Sequence, residues 1–118
     1  MLFDSNIMLY FLGGDKTLIP LLEEKQLYIS FITQLEVLGY KDIKEKELTK
    51  VKDFIRQCIV IDVNSDIKEN TIRIRRNYGL KLPDCIILAT AMYMNIPLIS
   101  ADREYRKVKD IELIFYEN

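Results

Sequence analysis

The sequence predicts a parallel α/β sheet with helices on its faces. Short apolar runs of strand length alternate with amphipathic stretches along the whole chain, the pattern of a sheet wound with crossover helices. No Pro/Gly/Ser-rich linker, repeat or low-complexity segment interrupts that alternation. With 118 residues, 49% of them hydrophobic, the chain has the length of one domain, residues 1–118, and the material for a real core.

Met1-Leu2-Phe3 is the candidate first strand. Asp4 and Ser5 are positioned to cap a helix from Asn6 to Leu12, and Gly13-Gly14 to end it. Residues 16–25 suggest a second short helix, and Leu27–Ser30 a second strand. A helix begins near Phe31 and runs toward Gly39. From 42 to 57, Leu48, Val51, Phe54 and Ile55 share one face amid alternating charges, an amphipathic helix. Cys58–Val63 reads as the third strand. Asn64 or Ser65 caps the next helix, whose Ile67, Thr71, Ile74 and Tyr78 recur at helical spacing before Gly79 closes it. Pro83 suits the first turn of a helix through Met94 that is apolar on nearly every side, hence buried. Ile96–Ser100 and Glu112–Tyr116 complete about five strands.

The composition narrows the chemistry. There is no histidine, which removes the usual base for a serine or cysteine nucleophile and the commonest transition-metal ligand. Cys58 and Cys85 lie within apolar runs without metal-ligand spacing and read as reduced core residues. A net charge of −1, from 17 basic and 18 acidic residues, supplies no general pull toward nucleic acid or anionic membranes, so a polyanion would need local patches. No apolar stretch reaches the ~18 residues of a membrane span. The opening MLFDSN has no basic leader region and enters structure at once, so a cytoplasmic protein without signal peptide is expected.

Acids stand at the edges of the most hydrophobic segments. Asp4 follows the first strand, Glu36 lies in the helix after the second, Asp84 sits in the first turn of the buried helix, and Asp102 follows the fourth strand. In a parallel sheet the carboxyl ends of strands share one edge, where ligands bind. Topology brings Asp4, Glu36 and Asp102 there; Asp84 joins them if its helix begins beside the same crevice. Carboxylates so gathered repel one another unless a cation intervenes, and an oxygen-only donor set suits Mg²⁺ or Mn²⁺. That permits metal-dependent phosphodiester hydrolysis. Ordinary structural roles compete: Asp4 as a helix cap, Asp84 as a first-turn acid favoured by the helix dipole, Asp102 as a turn residue. Glu36 sits among Ile32, Leu35, Val37 and Leu38, although Thr33 and Gln34 leave room for a solvated face.

At these residues the sequence resembles the PIN-domain family, and within it the VapC-type toxins of prokaryotic toxin–antitoxin pairs. The likeness covers almost the whole chain: LFDSNIMLYFL, ISFITQLEVLGY and, most specific, YGLKLPDCIILATAMYMNIPLISADREYRKV. Four acids in this order, each in its apolar frame, make a specific signal. The family's acidic site falls on Asp4, Glu36, Asp84 and Asp102. Its small polar residue beside the first acid is Ser5, with Asn6 next, and its hydroxyl before the last acid is Ser100, where threonine is commoner. Cys85 stands where alanine is commoner.

The resemblance implies a three-layer α/β/α domain acting as a Mg²⁺-dependent endoribonuclease, usually a homodimer, restrained by a VapB-type antitoxin whose C-terminal segment blocks the site. On that reading Asp4, Asp84, Asp102 and Glu36 hold Mg²⁺, or Mn²⁺ in its place, with Glu36 alternatively orienting the attacking water. Ser5, Asn6 and Ser100 are candidates to orient the carboxylates. Arg73, Arg75, Arg76 and Lys81 form one basic cluster, and Arg103, Arg106, Lys107 and Lys109 another. Either can meet RNA phosphates or be an ordinary charged face. Tyr10 and Tyr105 are candidates for base stacking, against core or dimer packing.

Two other functions fit a chain of this kind. One is a non-catalytic interaction module on the same fold, which needs no metal. The other is a nuclease directed at DNA or structured nucleic acid with the same acidic chemistry. A phosphotransfer receiver is disfavoured because LFDSN offers one acid and Glu117 follows the last strand. A haloacid-type phosphatase is disfavoured because its two aspartates two residues apart are absent.

Overall fold

A computed structural model describes residues 1–16, 18–23 and 25–117. The sheet is built from β1 (Leu2–Phe3), β2 (Tyr28–Ser30), β3 (Ile59–Ile61), β4 (Leu98–Ser100) and β5 (Leu113–Phe115). All pairings are parallel, in the order β3-β2-β1-β4-β5, with Phe3 opposite Ile99 and Ser100 opposite Phe115. Parallel neighbours need crossovers, and the helices supply them: α1 (Ser5–Leu12), α2 (Ile19–Leu22), α3 (Phe31–Leu38), α4 (Glu45–Arg56), α5 (Ser65–Tyr78) and α6 (Leu82–Met94).

Successive strand residues face opposite sides of a sheet, which divides the core in two. Leu2 and Leu98 turn toward α5 and α6, where they meet Ile67, Ile74, Ile87 and Leu88. Phe3, Ile29 and Ile99 turn the other way, toward Ile7 and Met8 of α1 and Val51 and Phe54 of α4. The edge of the Phe3 ring packs on Phe54 at 5.8 Å between centroids. Each fully buried side chain of this size contributes roughly 1.5–3 kcal/mol. The result is the expected α/β/α layering. The middle of α6 is buried as its all-round apolarity implied, from Cys85 through Ala91 apart from the half-buried Ile86.

Local chemistry sets the helix ends. Asp4 caps α1 by accepting the Ile7 amide at 3.0 Å, Ser30 caps α3 from the Ile32 amide at 3.2 Å, and Asn64 caps α5 from the Ile67 amide at 2.8 Å. Gly79 ends α5 in the left-handed region at φ 66°, where a side chain is strained. Both thiols are free: Cys85 is buried, whereas Cys58 is half-buried with its thiol pushed up to about 11 by desolvation.

Three segments differ from expectation. The helix expected over 16–25 is one turn, Ile19–Leu22; Pro20 has no amide to bond the carbonyl four residues back, so it suits the first turn of a helix and not one running on from residue 16, and Thr17 and Glu24 lie outside the described residues. The helix expected from 42 begins at Glu45, since residues 41–42 turn and the Ile43 amide bonds the Tyr40 carbonyl at 3.3 Å. A 3₁₀ helix, Arg103–Lys107, follows Asp102 where only a connection was expected.

Candidate active site

The chain leaves β1 for β2 and β3 on one side and returns to β4 and β5 on the other. Strand order therefore reverses between β1 and β4, the position where open parallel sheets form a crevice at their carboxyl edge. Asp4 follows β1 directly and Asp102 lies two residues beyond β4. Asp4 is only 4% exposed. Its Oδ1 accepts the Ile7 amide, and its Oδ2 accepts the Ser100 hydroxyl at 2.5 Å. The same Ser100 oxygen accepts the Asp102 amide at 3.0 Å, so one buried hydroxyl ties the acid after β1 to the acid after β4. Asp102 Oδ1 in turn caps the 3₁₀ helix by accepting the Glu104 amide at 2.9 Å.

Asp84 reaches this edge from α6. It is half-buried, and its Oδ1 accepts the hydroxyl of Tyr105 at 2.9 Å. Glu36 is exposed on α3, and its Oε1 accepts the Ser5 hydroxyl at 2.9 Å. The sequence-predicted quartet thus divides into three aspartates in one electrostatic neighbourhood and a glutamate joined to it through the residue after Asp4. Ser5 and Ser100 each donate to a carboxylate, Glu36 and Asp4 respectively. Asn6 is exposed and makes no side-chain hydrogen bond to these acids among the described residues.

Hydrogen bonds, and Lys81 near Asp84, offset the charge of these acids only in part. Burial, more than anything else, pushes the Asp4 carboxyl above its ordinary range; Ser100 and the Ile7 amide pull it down, and Asp102 and Asp84 push it up further. Burial likewise raises Asp84, with Tyr105 and Lys81 opposing and Asp102 adding to the rise. Among the described residues, the ion pairs are Arg56–Asp53, Arg106–Glu117 and Lys107–Glu104, and none involves the quartet. The donors are all hard oxygens, as a divalent Mg²⁺-type ion requires. Among the described residues, no three of these side chains stand close enough to ligate one ion directly. A hard ion that keeps several waters fits such an arrangement, because water can complete its shell.

The basic clusters flank this edge. Arg73, Arg75 and Arg76 are exposed toward the end of α5, and Lys81 precedes α6 closely enough to lower Asp84. Arg75 is partly engaged, donating to the Leu80 carbonyl at 3.0 Å. Arg103 and Lys109 are exposed, Arg106 lies over the Phe115 ring at 3.9 Å, and Lys107 pairs with Glu104. Tyr10 packs near Tyr116 at 6.0 Å and Tyr105 is 1% exposed, so core packing describes both rings better than base stacking. Sequence reasoning missed the Tyr105 hydroxyl as a partner of Asp84. A buried phenol three residues after a site acid is the signal that was present, since buried tyrosines ordinarily find a hydrogen-bond acceptor.

From Ser5 and Glu36, an apolar groove of about 660 Å³ extends past Leu9, Val37, Tyr40 and Ile43. Leu9 and Tyr40 are 48% and 65% exposed there.

A parallel α/β domain carrying acids at its strand-order reversal defines a class of carboxylate-site domains. The chain matches the PIN domain family over residues 1–111 and belongs to it. A chain of a toxin–antitoxin complex from Klebsiella pneumoniae is similar at 32% identity and a TM-score of 0.85, covering 99% of this chain and 98% of that one. The fold also matches VapBC2 from Rickettsia felis bound to a DNA fragment from its promoter, at 18% identity, TM-score 0.83 and 98% coverage of both chains. DNA-bound VapBC from Salmonella typhimurium matches at 20% identity and TM-score 0.82, over 97% of this chain and 96% of that one. No curated protein matches the sequence. Among the described residues, no helix is long and apolar enough to cross a membrane.

Proposed function

We propose that this chain is a Mg²⁺-dependent endoribonuclease and the toxin of a toxin–antitoxin pair, acting in the cytoplasm as a single PIN-like domain. The observation that carries the reading is the group of Asp4, Asp84 and Asp102 at the strand-order reversal, with two carboxyls raised and, among the described residues, no salt bridge to any of the three. Membership of the PIN family and 32% identity to a chain of a toxin–antitoxin complex support it.

Asp4, Asp84 and Asp102 hold the ion, directly and through water. When bound, a divalent cation supplies charge neutralisation at the phosphate and acidity to a bound water. Glu36, exposed and oriented by Ser5, binds metal or aligns the attacking water for in-line displacement at phosphorus. The products are a 5′-phosphate and a 3′-hydroxyl. Ser100 holds Asp4 in place throughout. Arg73, Arg76, Lys81 and Arg103 stand exposed to take flanking phosphates, which makes binding salt-dependent.

Purified chain, free of partner, is expected to cut labelled tRNA or ribosomal RNA into discrete 5′-phosphorylated fragments with Mg²⁺ or Mn²⁺, and not with EDTA. Intact RNA under every condition, together with no divalent-ion binding, overturns the enzyme in favour of a non-catalytic module. Cleavage of DNA alone moves the substrate.

A VapB-type antitoxin is the proposed partner, seated in the groove from Glu36 past Leu9 and Tyr40, where an occupant covers the site entrance. Leu9→Asp is expected to keep cleavage while losing inhibition by the co-expressed antitoxin by about 10-fold or more, as for an apolar interface anchor. Unchanged inhibition excludes that seat. A homodimer is proposed as the assembly; the exposed Val63 and Ile72 beside Phe31 and Ile86 offer it an apolar face.

A further inference from the structure

The short segment from Ser100 to Tyr105 touches three of the four acids. Ser100 donates to Asp4, Asp102 is itself one of them, and Tyr105 donates to Asp84. The 3₁₀ helix that begins at Asp102 sets the spacing between the last two. Its first turn is closed by the Asp102 carboxylate accepting the Glu104 amide and by the Tyr105 amide bonding the Asp102 carbonyl at 3.3 Å. The Tyr105 ring is fixed in the core with Leu2, Leu88 and Leu98, so its hydroxyl projects from a rigid mount.

We infer that Tyr105 is a positioning residue for the proposed metal site: its hydroxyl holds Asp84 through Oδ1, leaving Oδ2 for the ligand. The inference rests on the function proposed above. It follows from geometry. The hydroxyl lies 2.9 Å from Oδ1, and no donor to Oδ2 is found among the described residues. An aspartate on the first turn of a helix is otherwise free to choose among rotamers. A donor anchored in the core selects one of them before any ligand arrives, and the cost of ordering is met during folding. The other acids have comparable anchors: Ser5 for Glu36, Ser100 for Asp4 and the Glu104 amide for Asp102. The Asp84 anchor is an aromatic side chain packed into the apolar core. Among the described residues that hydroxyl bonds only Asp84, and the ring alone fills the core position.

Tyr105→Phe keeps the ring and removes the donor. Mn²⁺ affinity measured by electron paramagnetic resonance is expected to fall about 10-fold or more, as when the outer partner of a metal ligand is lost. RNA cleavage is expected to lose a similar factor in kcat with KM for RNA unchanged. The far-ultraviolet circular dichroism spectrum should match that of the native chain. Tyr105→Leu, which disturbs packing as well, is expected to lower the melting temperature well beyond the small loss expected for Tyr105→Phe. Native Mn²⁺ affinity and native kcat in Tyr105→Phe overturn the positioning role while the nuclease reading stands. Equal losses of Mn²⁺ affinity and melting temperature in both variants overturn it in favour of a packing role. A native chain that neither binds Mn²⁺ nor cleaves RNA overturns both readings, and the Asp84→Asn chain measured beside it then shows no difference.

Discussion

Asp84→Asn is expected to abolish RNA cleavage and to raise the melting temperature of the metal-free chain. The two effects share a cause. Asp84 is partly desolvated and faces Asp102, so its negative charge costs stability that a cation would return at the proposed site. Asparagine still offers Oδ1 to Tyr105 but carries no charge. Loss of one ligating carboxylate removes several kcal/mol of charge stabilisation from the transition state, at least about 100-fold in rate. The pH dependence distinguishes this explanation from a packing effect. Both Asp4 and Asp84 titrate above the unfolded carboxyl value of 3.8, so between that value and the raised ones the folded chain binds more protons than the unfolded chain. Stability contributed by these groups therefore falls as pH rises through that window and is lowest at neutral pH. Metal-free melts of Asp84→Asn and the native chain should differ most near pH 7 and converge toward pH 4. A difference constant with pH, or a less stable variant at pH 7, refutes the charge argument.

Ser100→Ala should be the most damaging single loss of a hydroxyl. Its oxygen serves Asp4 and the Asp102 amide at once, and it is fully buried. Without it the buried Asp4 carboxylate keeps one donor, the Ile7 amide, and the Asp102 amide loses its acceptor. Hydrogen bonds to a buried charge are worth roughly 1.5–3 kcal/mol, so urea unfolding should show a loss of about that size at neutral pH. Ser100 also holds the Asp4 carboxyl down, so alanine there raises it and protons compete better for the site. The pH at which divalent ions half-saturate the protein should move upward. Ser100→Thr retains the hydroxyl and should restore both quantities. Native stability and an unmoved metal–pH curve in Ser100→Ala would falsify the bridge.

Much of this arrangement was legible in the residues. Alternating apolar and amphipathic segments are local properties, so the strand and helix order could be read along the chain, as could the caps at Asp4, Asn64 and Gly79. The meeting of Asp4 with Asp102 follows from the rule that parallel strands share a carboxyl edge. Their bridge through Ser100 follows from no local pattern: it needs β1 and β4 to be neighbours, and strand order is a tertiary fact. The Tyr105–Asp84 bond spans two elements whose angle depends on how α6 lies on the sheet. Tyr105 stands among Arg103, Glu104, Arg106 and Lys107, so its neighbours in sequence announce neither its burial nor which acid its hydroxyl meets. The 3₁₀ helix at Arg103–Lys107 is too short for a periodic signal, and Pro20 keeps the expected helix from starting as early as residue 16. Glu36 was the acid least explained by its surroundings; the structure leaves it exposed, as a solvated face would, but bound to Ser5.

Strand β1 lies between β2 and β4, so the first acid of the chain finds its partners only in the last quarter of the sequence. A ribosome that has released the first 90 residues has made Asp4, Glu36 and Asp84 but neither Ser100 nor Asp102. The hydroxyl that holds Asp4 and the phenol that holds Asp84 emerge after all three of those acids. On the proposed function, the chain would thus stay unarmed until Ser100 and Asp102 have been made.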